Sequence, residues 1–93
     1  MPEPLPLPQS LSAEGWKVKI RNRERLEPPH ATVIRGTRFW RWNLRSHQFM
    51  DRDPSPGDVP DELVRLLHVH HDDLVRRWDS VHPGNPVGTP EGE

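Results

Sequence analysis

The 93-residue chain contains no cysteine. A disulfide framework and a thiolate-bound zinc are both excluded, so a small core has to hold without staples. The same absence suits a reducing cytoplasm, which is the expected compartment. Long apolar runs are missing too, since no stretch approaches the ~18 residues of a membrane helix. The opening "MPEPLPLPQSLSAEG" has neither the basic start nor the apolar segment of an export signal. A soluble, non-exported protein is expected. An overall excess of one charge is also lacking, with a formal net charge of -1.

That total hides a segregation. Residues 16–45 hold nine Lys or Arg against Glu24 and Glu27, whereas residues 53–79 hold seven acids against Arg65, Arg76 and Arg77. The molecule is expected to be dipolar. Proline is abundant at both ends: "PEPLPLPQ" has it at every second position, and "HPGNPVGTPEGE" is equally rich in breakers. The sequence therefore divides into a disordered Pro-rich leader over 1–15, one folded domain over 16–82 and a disordered tail over 83–93. A core that small is marginal, and four Trp with two Phe supply most of its large side chains.

Within the domain, "WKVKIRNR" alternates Trp16, Val18 and Ile20 with Lys17, Lys19 and Arg21, the period-two signature of a half-buried strand. A turn is expected through "ERLEPP". "HATVIRGTRFWRWNLR" reads as a hairpin around Gly36-Thr37, because Gly at the first central position permits a type II′ turn. That loop sets His30 opposite Asn43, Thr32 opposite Arg41 and Val33 opposite Trp40. One side then carries Ala31, Val33, Trp40, Trp42 and Leu44; the other shows His30, Thr32, Arg41, Asn43 and Arg45, with Ile34 and Phe39 near the tip.

"SHQFMDRDPSPGD" has the composition of a loop in which Phe49 and Met50 could tuck against the core. A helix from about Val59 to Val81 follows, with Leu63, Leu66, Leu67, Leu74, Trp78 and Val81 on one stripe. His70 and His71 fall inside that stripe and His68 at its margin. The expected architecture is α+β: a three-stranded antiparallel sheet packed on one face by a single long C-terminal helix.

Glu27-Pro28-Pro29-His30 ahead of a strand, Phe39-Trp40 on the next, and His70 eight residues before Trp78 on a helix form a recognisable series. Over residues 16–80 it resembles a family of small bacterial domains of unknown function, sometimes proposed as toxin–antitoxin-type components. The sequence departs from that family's E-P-P-H-x-H form, because Thr32 stands in place of the second His. The resemblance implies a setting beside a partner gene and no defined activity.

Three chemistries compete for the polar residues. His30 has the near-neutral pKa of an acid–base catalyst, and with a nearby Arg it could serve a metal-independent ribonuclease; the competing role is a local hydrogen bond that fixes the Pro-Pro turn. His68 and His71 could share a helix face, but two imidazoles make no metal site, so neither a metal nor any other cofactor is expected. Phe39, Thr32, Arg41, Asn43 and Arg45 could instead form a basic binding face for a partner protein or RNA. Binding is the primary expectation, and catalysis through His30 the alternative.

Overall fold

A computed structural model describes residues 5–21 and 28–87. An antiparallel sheet runs in the order β1 (Trp16–Lys19), β2 (His30–Arg35), β3 (Arg38–Asn43) and β4 (Gln48–Phe49). A helical turn, α1 (Gln9–Ser12), precedes it, and two helices follow, α2 (Asp61–Val69) and α3 (His71–Val81). The class is α+β, as the periodicities predict. Both counts in the expectation need correction, since the sheet has four strands and the C-terminal helix is two.

The central hairpin has the expected register throughout, from Arg35 opposite Arg38 to His30 opposite Asn43. Gly36 supplies the left-handed turn residue at φ +61, a conformation that costs a residue without Cβ little. β1 adds on the far side of β2, with Lys17 opposite Ile34 and Lys19 opposite Thr32. Residues opposite one another share a face. The inner face thus carries Trp16, Val18, Ala31, Val33, Trp40 and Trp42, all buried in one core with Leu63, Leu67, Leu74 and Trp78 of the helices.

The fourth strand is too short for its periodicity to show. It pairs Phe49 with Trp42 and Gln48 with Asn43. The connecting turn is held by the Asn43 side chain, whose Oδ1 accepts from the backbone N–H of Arg45 (2.7 Å) and Ser46 (3.0 Å). His47 closes it with a left-handed backbone, φ 59. Phe49 then meets Trp42 edge-on, with ring centroids 4.9 Å apart.

The helical stretch breaks at His70, which has φ -98 and ψ 19. Here "HVHH" concentrates the weakest helix formers of the segment, His and β-branched Val, between the Leu-rich turn before and the Leu-Arg-Trp turn after. Hydrogen bonds from His70 N to Leu66 O and from Leu74 N to His70 O still bridge the break. Asp61 and Glu62 open α2 and Asp72 and Asp73 open α3, placing negative charge at both N-termini.

The domain boundaries also shift. Leu5 and Leu11, assigned to a disordered leader, belong to the core, and Leu5 N donates to Val18 O at 2.8 Å on the outer edge of β1. Alternating proline keeps this segment extended, which suits an edge partner for a strand. At the other end, residues 83–87 lie on α3: Trp78 Nε1 donates to Asn85 O (2.7 Å), Val87 N to Asp79 Oδ1 (2.8 Å) and Arg45 to Pro86 O (2.9 Å). Among the described residues the core therefore takes in side chains on both sides of the expected 16–82, from Leu5 to Val87. The expected turn over residues 24–29 lies mostly outside the described residues, as do Arg23, Arg25 and Glu27.

Candidate functional site: an open basic sheet face

The outer face of the sheet divides along the strands. At the His30 end it is closed: His30 and Thr32 are each 1% exposed. The His30 imidazole lies 5.4 Å from the Trp78 ring, and its Nδ1 donates to Pro28 O at 2.8 Å. A carbonyl only accepts, so Nδ1 carries the proton. Trp78 meets a second imidazole, His82, at 3.9 Å, and His82 Nε2 donates to Arg21 O at 2.7 Å. His30, Trp78 and His82 thus join the first residue of β2, the helix α3 and the chain after β1. Sequence reasoning missed His82, which lies past the helical stripe where no periodicity marks it.

Four further residues singled out by the sequence are tied into the fold. The Thr32 hydroxyl is buried and has no hydrogen-bond partner among the described residues. Arg41 grips Asp51 with Nη2 to Oδ1 at 2.7 Å and Nε to Oδ2 at 3.1 Å, and Asp51 Oδ2 also accepts from the Arg41 backbone N–H. These bonds, the side-chain bond foremost, hold the Asp51 carboxyl below its ordinary pKa, against desolvation that pushes it up. Asn43 shapes the turn into β4, and Arg45 bonds the backbone of residue 86. Only Phe39 among the expected binding residues is an exposed large hydrophobic, at 45%.

Around Phe39 the outer face is open. Lys17, Ile34 and Phe39 form one row across β1, β2 and β3, and Lys19 heads the next. Lys17 and Lys19 are exposed and Ile34 is half-buried. The Arg21 guanidinium lies 5.2 Å from the centre of the Phe39 ring, a cation–π distance. Among the described residues neither lysine has an ion pair, whereas Arg38 is bound to Asp58 at 2.7 Å. The basic side chains on this open part of the face are those of Lys17, Lys19 and Arg21.

A separate group gathers at the break between the helices. His71 stacks on His47 with centroids 4.1 Å apart, His47 lies 5.8 Å from His68, and His68 meets the edge of Trp42 at 5.1 Å. Burial first, and then the neighbouring His47 charge, lower the His71 pKa, while Asp72 opposes them. The rings stack and do not converge, and no group of three His, Asp or Glu among the described residues is arranged to hold a metal ion.

Comparison of the chain with protein-family models, with curated proteins and with solved structures returns no match. Among the described residues no helix is long and apolar enough to cross a membrane. The structure is an α+β domain built around a hairpin, with Phe39, Lys17 and Lys19 exposed on one sheet face.

Proposed function

We propose that the protein is a small interaction domain that binds a partner protein or RNA through its basic sheet face, in a setting of the toxin–antitoxin type. One observation carries the reading: Phe39 stands exposed on the outer face beside Arg21 and in line with Lys17 and Lys19, which have no ion pair among the described residues. A solvent-facing ring costs solubility, and long basic side chains beside it offer both apolar stems and charge to a partner. The alternative, a ribonuclease using His30, gains no support from an imidazole that is 1% exposed with Nδ1 already bonded to Pro28.

The test uses two kinds of candidate ligand, the product of the adjoining reading frame and RNA. Binding of either should weaken steeply with salt and be lost when Lys17 and Lys19 are both replaced by Glu. Binding that is indifferent to that double replacement would refute the basic-face reading.

A further inference from the structure

Resting on that reading, we propose that the occupant of the open sheet face is single-stranded RNA, with its phosphates along β1 and a base stacked at Phe39. The argument begins with the spacing of the charges. Lys17 and Lys19 are two residues apart on one face of β1, which separates them by about 6.6 Å at the usual strand rise. That repeat is comparable with the repeat of an extended sugar–phosphate backbone. Two lysines in line along an edge strand can therefore meet successive phosphates.

The second step is the distance across the sheet. Lys17, Ile34 and Phe39 are register partners on three adjacent strands, so the row spans roughly 10 Å, two strand spacings. A nucleotide whose phosphate lies at Lys17 reaches over half-buried Ile34 and brings its base to the Phe39 ring. The apolar middle of the row suits the base plane, and the charged end suits the phosphate. Arg21, placed over that ring, adds a guanidinium plane on which bases also stack.

The third step decides between strands and duplexes. An exposed aromatic on a flat face has nothing to stack on while bases remain paired, and a duplex presents its phosphates in two rows on a curved surface. Single strands offer unstacked bases, and RNA is the nucleic acid commonly recognised in that form. Lysines on an edge strand also discourage strand-to-strand pairing, and that role alone predicts no ligand.

The test measures fluorescence anisotropy of a labelled twelve-nucleotide mixed-sequence RNA, the same sequence as DNA, and the RNA duplex, using the full chain. The single-stranded RNA should bind most tightly. Phe39→Ala should weaken it about five- to a hundred-fold, with an unchanged melting temperature because the ring is exposed. Replacing Lys17 and Lys19 by Gln should flatten the dependence of log affinity on log salt by about 1.4, since each phosphate contact on a single strand contributes roughly 0.7. Equal or tighter binding of the duplex or the DNA strand would overturn the proposal, as would indifference to Phe39→Ala. If no oligonucleotide binds but the adjoining gene product does, and loses affinity in the Lys17 and Lys19 variant, RNA is refuted and the basic-face reading stands.

Discussion

The two ends of the outer sheet face present the same alternation of residues and opposite environments. Toward His30 the face is closed, with buried His30 beside Trp78, buried Thr32 and the Arg41–Asp51 pair; toward Phe39 it is open and carries Lys17, Lys19 and Arg21. His30, Thr32 and Ile34 share one side-chain parity along β2, yet His30 and Thr32 are buried, Ile34 is half-buried and Phe39 opposite it is exposed. The difference shows that parity assigns a residue to a face, whereas burial depends on what the rest of the chain lays over it.

The closed end should be the fragile one, and Trp78 is its centre. Trp78→Ala removes a fully buried indole and both imidazole contacts, at a cost of about 3–5 kcal/mol. In so small a domain that should abolish cooperative thermal unfolding, as followed by circular dichroism. Trp78→Phe should recover part of the loss.

The leader comes next. Leu11→Ala should cost about 2–4 kcal/mol, the range for a buried leucine in a core, and removal of residues 1–15 should cost at least as much because Leu5 goes with it. Denaturant melts of both variants check this. Unchanged midpoints would show that the leader contributes nothing to stability.

The Arg41–Asp51 pair should contribute less. Asp51→Asn weakens charge-assisted hydrogen bonds in a partly buried pair and should cost about 1–2 kcal/mol. Because the folded carboxyl has a lowered pKa, its stabilisation is complete above the ordinary carboxylate value and is lost as pH falls through the folded one. Acid titration of stability should therefore be shallower in Asp51→Asn than in the parent below about pH 4.

His71 acts in the opposite sense to a paired histidine. Its folded pKa is lowered, so the unfolded chain takes up the proton first, and stability falls as pH drops below the ordinary value near 6.5 until the folded value is reached. The melting temperature should thus be lower at pH 5.5 than at pH 7.5. His71→Gln should flatten that window, and His47→Ala should reduce it by removing a neighbouring charge.

At the open end the smallest stability effect is expected: Phe39→Ala should change unfolding free energy by no more than about 0.5 kcal/mol, as is usual for an exposed position. A larger loss would mean that Phe39 is part of the core and that the two ends are alike.

The hairpin was legible because its determinants are local. A glycine that tolerates positive φ fixes the loop, and alternation then sets every pairing from Arg35–Arg38 to His30–Asn43. The apolar stripe Leu63, Leu67, Leu74 and Trp78 was legible for the same reason, since helical spacing needs no knowledge of the partner surface. β4 escaped because two residues carry no period, and its turn depends on a side-chain cap from Asn43. The residues expected to bind divide: Phe39 is on the open face, whereas Arg41, Asn43 and Arg45 make hydrogen bonds inside the fold.

By itself, then, the sequence determined the α+β class, the hairpin register and the membership of each sheet face, because these follow from dihedral preference and periodicity within a few residues. Tertiary structure alone decided which end of the outer face is covered, that Leu5, Leu11 and Val87 join the core, and that His47 stacks on His71. Those outcomes depend on segments distant in sequence competing for one small apolar surface, where the favourable arrangement is the one that buries the most area with its polar atoms bonded. No local pattern encodes that competition.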